Sequence, residues 1–269
     1  MINMNYNDPL VSVIMGIRYQ NEDLATLKRS VFSILGQTYT NFELLICQNN
    51  STLSSHQWLE EISSKDNRVR IIDGNGVDTQ TKKLNRCLKE AAGTLIARMD
   101  DDDYSYPDRL ERQVRFLDQH IGFNFVGCWV KEIDGPKELI RKLPLSPGIH
   151  DFRKTLPFVH PALLFRREAL YAVDGYSESI TQEGCDDYDL LLRMYSRGYY
   201  GANLQEVLLN YSVLSSQLNH RPYRFFINEF FTRVVRFREL NLLPRWWLWA
   251  IKPLIVGLIP RRLLYYLKH

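Results

Sequence analysis

Short, unbroken apolar runs alternate along the first half of the chain with segments whose apolar residues recur every three or four positions. VSVIMGI (11–17), FELLICQ (42–48), VRIID (69–73) and TLIARM (94–99) predict strands covered on both faces. Between them, EDLATLKRSVFSILGQ places Leu24, Leu27, Val31, Ile34 and Leu35 on one helical face. HQWLEEIS predicts a short helix, and TQTKKLNRCLKEAAG turns Leu84, Cys87, Leu88 and Ala91 inward before Gly93 stops it. Pro107 suits the first position of a further helix that buries Leu110, Val114 and Leu117. Repeated strand–helix alternation predicts a parallel, doubly wound α/β sheet. In such sheets ligands bind beyond the carboxyl ends of the strands.

After residue 120 the pattern becomes mixed. FNFVGCWVKEI (123–133) and EVLLNYSV (206–213) predict strands, and PALLFRREAL (161–170) a strand turning into a helix. CDDYDLLLRMYSRG opens a helix with Tyr188, Leu191, Leu192 and Tyr195 as its apolar positions. All of this is expected to pack against the same sheet.

Composition narrows the class. The 269 residues suffice for one large or two modest domains, and 45% hydrophobic content supports a substantial core. Cys47, Cys87, Cys128 and Cys185 lie far apart, without a CxxC pair, which argues against a zinc site or a disulfide scaffold and suits a reducing cytosol. The start, MINMNYNDP, lacks the basic-then-apolar pattern of a signal peptide. Net charge is +3 but uneven: ten Lys/Arg face two Asp/Glu from Arg221 onward, leaving 24 against 29 in residues 1–220. An acidic body suits a cation, and a basic tail suits an anionic surface.

The chemistry concentrates in two acidic groups. Asp100 to Asp103 follow the fourth predicted strand directly. A run of like charges is compatible with a solvated turn, but its place at a strand's carboxyl end favours a site. Converging carboxylates without basic partners call for a hard cation, Mg²⁺ or Mn²⁺, of the kind that clamps substrate phosphates. No GxxxxGKS/T loop and no GxGxxG stands here, which disfavours P-loop enzymes and dehydrogenases. A diphosphate would then be neutralised by metal and a few basic groups. The second group, Asp186, Asp187 and Asp189, opens a predicted helix. There it serves either as helix capping or as a general base for a weakly nucleophilic sugar hydroxyl. Metal-binding carboxylates plus a separate base are the minimum set for displacing a diphosphate from a sugar carbon.

PLVSVIMGIRYQNE, SILGQTYTNFELLICQNNST, VRIID, LNRCLKEAAGTLIARMDDDDYSYPDRLERQ, HPALLFRR and DDYDLLLRM, in that order over residues 9–215, resemble the family 2 glycosyltransferases. The resemblance implies the GT-A fold: a mostly parallel central sheet flanked by helices. It places the family's DxD-type motif on Asp100 to Asp102, with Asp102 as the metal ligand and Asp100 and Asp101 near the ribose or diphosphate. It places the base on Asp187 and gives Asp189 an orienting role. His160 falls near the donor diphosphate and metal, or is a core histidine bonded to backbone. Glu22 falls in the loop that lines the nucleotide pocket. Two departures stand out. Where the family usually carries a pair of aspartates, one facing uracil, this chain has Gln48 and Asn49, whose amides can also pair with an imide edge. Gly16 and Arg18 stand where proline and tyrosine are common. Arg18, Lys82 and Lys83 either reach phosphates or lie on solvated surfaces.

The resemblance further implies a metal-dependent, inverting transfer of glucose or galactose from a UDP-sugar to a lipid-linked GlcNAc-type acceptor during O-antigen or capsule assembly. Relatives of this kind work at the cytoplasmic face of the bacterial inner membrane. A catalytic region (1–220) is expected before a basic, aromatic helical tail (221–269). The tail's apolar run, Trp246 to Ile259, is broken by Lys252 and Pro253 and is too short to span a bilayer. With Arg261 and Arg262 beyond it, the run suits an interfacial helix on an anionic leaflet, or a helix packed on the catalytic region. No nucleic-acid module is present. The rival classes are a sugar nucleotidyltransferase, which would want a glycine-rich basic loop where GIRYQNED stands, and a non-catalytic carbohydrate binder, which would not need both acidic groups.

Overall fold

A computed structural model describes residues 8–179, 184–213 and 222–259. The first half alternates as expected: β1 (Val11–Ile17), α1 (Ala25–Leu35), β2 (Phe42–Gln48), α2 (Leu53–Lys65), β3 (Val69–Asp73), α3 (Gln80–Glu90) and β4 (Leu95–Arg98). A two-residue strand β5 (Tyr104–Ser105) then precedes α4 (Arg109–Gln119). Pro107 therefore lies in the turn before that helix, not at its first position, and Arg109 N–H bonds Tyr106 O (3.1 Å). The second half carries β6 (Phe125–Asp134), β7 (Lys137–Arg141), β8 (Leu164–Arg166), α5 (Arg167–Ala172), α6 (Asp186–Ser196) and β9 (Gly201–Ser212). Two tail helices follow, α7 (Tyr223–Glu239) and α8 (Trp247–Leu258).

Among the described residues, nine strands form one sheet in the order β3-β2-β1-β4-β8-β6-β9-β5, with β7 on β6. The β3-β2-β1-β4 half is wholly parallel. β8 then runs antiparallel to both β4 and β6, while β6 and β9 pair parallel. The architecture is the mixed α/β, GT-A-like sheet with helices on both faces. Alternation along β1 sends Val11, Val13, Met15 and Ile17 into one core with Leu27, Val31 and Leu110. Ile14 joins Leu45, Leu84, Ile96 and Leu191 in the core on the other face. All four cysteines are buried thiols.

The tail helices form an antiparallel hairpin. Tyr223 Oη donates to Leu254 O (3.3 Å), and Gly257 lies so close to the Phe226 and Tyr223 rings that a Cβ there would stand 2.8 Å from each. Phe237, Trp246 and Ala250 are buried in the second core, with the Phe237 and Trp246 rings edge-on at 5.0 Å. Arg233 sets its guanidinium over the Tyr188 ring (4.6 Å) and donates to Arg153 O (3.1 Å). Among the described residues no helix is long and apolar enough to cross a membrane. Arg261 and Arg262 lie outside the described residues.

Because Phe237 is fully buried between the hairpin and the body, F237A should cost about 3–5 kcal/mol of unfolding free energy. A lower urea midpoint with an unchanged m value is the expected reading. A midpoint that does not move would mean the hairpin unfolds apart from the body.

Candidate active site

The parallel half of the sheet sets the site's geometry. Ile17 pairs with Gln48, and Gln48 with Asp73, so the carboxyl ends of β1, β2 and β3 stop side by side. β4 lies against the other side of β1 and delivers the acidic run to the same edge. The chain leaving β3 passes tightly over this edge: a Cβ on Gly74 would sit 2.2 Å from Gln48 O, so only glycine fits. Two clefts open here. One, about 580 Å³, is lined by Gln48, Asn49, Ser51, His56, Ile72 and Asp73 among others. The other, about 590 Å³, is lined by Arg18, Gln80, Lys83, Ser177, Asp186 and Arg224 among others.

The backbone of the acidic run is pinned from two sides. Ser30 Oγ donates to Asp100 O (2.6 Å), Arg29 Nη2 to Asp102 O (2.7 Å) and Ser212 Oγ to Asp102 O (2.5 Å). The side chains divide into different environments. Arg98, 2% exposed in β4, pairs with Asp100, so the run is not without a basic partner as its sequence suggested. Asp103 is fully buried; Ser212 N–H donates to its Oδ1 (2.8 Å), and its Oδ2 has no hydrogen-bond partner among the described residues. Burial, reinforced by the Asp100 charge, pushes Asp103 up to about 8. Burial and then the flanking carboxylates push Asp101 up to about 7 and Asp102 up to about 6. Neither Asp101 nor Asp102 is in a salt bridge among the described residues.

The second acidic group faces the first. Asp186 opens α6, and burial followed by the Asp187 charge pushes it up to about 7, with Arg98 and Asp100 also within electrostatic reach. Tyr188 N–H donates to Asp187 Oδ1 (2.7 Å), fixing that carboxylate at the helix start. Tyr211, on β9, is raised by burial and by the charges of Asp100, Asp103, Asp187 and Asp102, so one phenol senses both groups. His160 Nε2 lies 3.0 Å from Tyr176 Oη. Burial, then the Arg98 charge, holds His160 well below the usual imidazole range, so its ring is neutral at pH 7. Asp189 is fully buried and accepts from Arg193 Nε and from Arg236 Nε, each at 2.8 Å.

The other residues marked from sequence fall as follows. Lys83 is 2% exposed; it donates to Ile17 O (2.8 Å), and burial lowers its pKa, with Arg18 and Asp101 near enough to act on it. Arg18 is exposed at the mouth of the same cleft. Lys82 instead pairs with Asp78 (2.9 Å). Asn49 donates to Val77 O (2.5 Å), and Gln48 Nε2 lies 2.6 Å from His56 Nδ1. Glu22 accepts from Ser54 Oγ (2.7 Å) beside the first turn of α2. Sequence reasoning missed Arg98, Tyr211, Ser212 and His56. Only Arg98 carried a signal, as a charge inside an otherwise apolar strand next to the aspartates.

Among the described residues no group of three or more His, Cys, Asp or Glu side chains forms a metal cage. The donors present are nevertheless of the right kind. Asp101 and Asp102 offer hard oxygens that burial and mutual repulsion leave short of positive charge. A divalent ion held by one or two carboxylates and completed by phosphate oxygens and water needs no cage.

Comparison with known proteins agrees with this geometry. The sequence profile described as glycosyl transferase family 2 matches residues 13–177. "Putative glycosyltransferase EpsE" of Bacillus subtilis (strain 168) is 34% identical over 255 residues, covering 94% of this chain and 90% of that one. "O-antigen biosynthesis glycosyltransferase WbnJ" of Escherichia coli is 33% identical over 211 residues, 76% of this chain and 80% of the other. A "UDP-Gal:alpha-D-GlcNAc-diphosphoundecaprenol beta-1,3-galactosyltransferase", also of Escherichia coli, is 28% identical over 216 residues, 77% and 75% of the two chains. Among solved structures, S. aureus TarS in complex with UDP-GlcNAc superposes with a TM-score of 0.68 at 16% identity, over 90% of this chain and 72% of that one. The mannosyltransferase PcManGT from Pyrobaculum calidifontis, in complex with GDP-Man and Mn²⁺, gives 0.61 at 17% identity, over 93% and 68%. At those identities the two structures speak for the fold alone.

The raised carboxyls make stability fall with rising pH. Their folded values, about 6 to 8, lie above the ordinary value of 3.8, so the folded state keeps protons that the unfolded chain has already released. The stabilisation is full below the ordinary value and is lost as pH rises through 6 to 8. Without added metal, the protein should melt at a lower temperature at pH 8 than at pH 6, and D102N should narrow the gap. An equal melting temperature at both pH values would contradict the buried, unpaired state of these groups.

Proposed function

The chain belongs to glycosyltransferase family 2, and on that premise we propose that it transfers a hexose, glucose or galactose, from a UDP-sugar to a lipid-linked GlcNAc-type acceptor in the assembly of a bacterial surface polysaccharide such as O-antigen or capsule. The observation that carries this reading is the meeting of two separate carboxylate groups at one sheet edge, Asp100 to Asp102 from β4 and Asp186–Asp187 from α6. The relatives named for O-antigen synthesis and for galactosyl transfer to a diphosphoundecaprenol-linked GlcNAc support the substrate class.

Asp187 is the general base: its carboxylate stands at the start of a helix facing the edge where the donor's sugar would lie. It takes the acceptor hydroxyl's proton as oxygen attacks the anomeric carbon, the carbon–diphosphate bond breaks, and the linkage inverts from α to β. Asp102, with Asp101 beside it, would hold Mn²⁺ or Mg²⁺, which supplies positive charge to the leaving diphosphate. Asp100 is tied to Arg98 and shapes the turn. Arg18 and Lys83 bring positive charge to the cleft next to Asp186, and neutral His160 serves as a hydrogen-bonding rather than ionic group. Gln48 and Asn49 line the 580 Å³ cleft, which would take the nucleobase, and Glu22 is bonded to Ser54 beside the first turn of α2.

The tail hairpin is read as a peripheral membrane contact at the cytoplasmic face. α7 exposes Ile227, Phe231 and Val235 four residues apart, and α8 exposes Trp247, Leu248, Ile255 and Leu258. Arg238 and Arg245 are exposed beside them. An apolar strip next to basic groups fits the headgroup region of an anionic leaflet.

With Mn²⁺ and a panel of nucleotide sugars, the expected activity is UDP release that depends on acceptor. D187N should lower kcat by about 10²–10⁴-fold with little change in donor KM. Pyrophosphate release, or full activity in D187N, would overturn the reading. For the tail, F231S/L248S should weaken sedimentation with vesicles containing phosphatidylglycerol, while transfer to a soluble acceptor analogue is retained. Unchanged sedimentation would remove the hairpin from the membrane.

A further inference from the structure

We propose that His56 and Glu60 fix the polarity of Gln48, so that this position reads a nucleobase through its carboxamide oxygen and selects a ring bearing an imide N–H. The inference rests on the donor being a nucleoside diphosphate sugar and concerns residues outside the motifs that marked the site.

Gln48 ends β2 and is 8% exposed. Its Nε2 lies 2.6 Å from His56 Nδ1, and its Oε1 is buried without a hydrogen-bond partner among the described residues. His56 projects from α2, whose first turn is capped by Thr52 Oγ1. One turn further on, Glu60 Oε1 lies 3.2 Å from His56 Nε2. All three residues line the 580 Å³ cleft at the carboxyl edge. Asn49 is committed elsewhere, to Val77 O.

The orientation of a carboxamide follows from what its neighbours can give and take. A carboxylate only accepts, so the imidazole tautomer that satisfies Glu60 carries its hydrogen on Nε2. Nδ1 is then a lone pair, and only the amide N–H₂ of Gln48 can face it. Oε1 is therefore the Gln48 atom left for a ligand, and it is an acceptor. Left alone, a buried acceptor without a donor is unfavourable, and a ligand bringing an N–H relieves it. Uracil offers such a group at N3. Cytosine, nearly the same in shape, has a lone pair there and would set it against Oε1. Glu60 and His56 are thus positioning residues, and Gln48 is the specificity-determining one.

The test is a ratio rather than an affinity. Dissociation constants for UDP and CDP would be measured by calorimetry in the presence of Mn²⁺, on wild type, H56K, E60Q, Q48D and H56K/Q48D. Wild type should favour UDP by about tenfold or more, the scale of one mismatched buried hydrogen bond. H56K can only donate, so it draws the Gln48 oxygen to itself and leaves the N–H₂ for the ligand, and the UDP:CDP ratio should fall by about tenfold. E60Q, which frees the imidazole tautomer, should fall between. Q48D needs no orienting partner; it should keep the preference for UDP, and H56K should no longer alter the ratio in that background. H56K weakening both nucleotides equally would reveal a merely structural role and overturn the inference. Wild type favouring CDP would overturn it too, leaving a nucleotide-sugar transferase standing. Wild type binding neither nucleotide would sink the UDP-sugar reading along with it.

Discussion

A guanidinium buried inside a strand anchors the acidic edge. Arg98 sits inside β4, where a charge would be expensive without partners, and its pairing with Asp100 answers that cost. Its field reaches Asp101, Asp102, Asp103 and Asp186, lowering each, and it also acts on His160 and Tyr176. Arg29 also acts on Asp102, and the buried Arg109 lies within electrostatic reach of Asp103, yet these few positive charges do not satisfy so many carboxyls. Burial wins for Asp101, Asp102 and Asp103, which sit above their ordinary values. The folded chain thus carries a local deficit of positive charge. A divalent ion arriving with a diphosphate would relieve it, and the pinned backbone from Asp100 to Asp102 keeps the deficit from relaxing away.

The helix that carries the proposed base is stiffened from behind. Asp187 stands two residues before Asp189, which is locked between Arg193 of its own helix and Arg236 of α7. The same tail helix lays Arg233 on the Tyr188 ring. The hairpin that offers an apolar strip to the surroundings therefore also braces the helix that carries the proposed base. If the hairpin lies on a bilayer, the catalytic edge is held at a set height above it. That geometry suits an acceptor whose sugar hydroxyl stands a fixed distance from a lipid.

Much of this was legible from pattern alone, because a doubly wound sheet writes itself as unbroken apolar runs alternating with segments of period 3.6. The strands β1 to β4, and the arrival of Asp100 to Asp103 at a carboxyl end, followed from those runs. β5 and β7 did not, since a two-residue strand and an exposed hairpin arm leave no apolar run. The Arg98–Asp100 pair was hidden for a different reason: an arginine inside a strand gives no sign of which way it turns. His56 was harder still. It lies on a short helix of weak amphipathicity, and its meaning comes only from Gln48, eight residues earlier and across a turn.

The replacement of an acid by an amide at Gln48 has an electrostatic logic. Gln48 pairs in register with Asp73, and the edge beyond already holds Asp100 to Asp103. Another carboxylate there would add repulsion to a cluster whose members are already pushed toward their protonated forms. An amide reads a hydrogen-bonding edge without adding charge, but it is ambiguous, because its two ends can exchange places. A carboxylate has no such ambiguity and needs no orienting partner. The neutral solution therefore carries a requirement that the charged one lacks: something must hold the amide one way round. Glu60 and His56 meet that requirement: a proton held on the imidazole Nε2 by an obligate acceptor leaves Nδ1 to take the amide N–H.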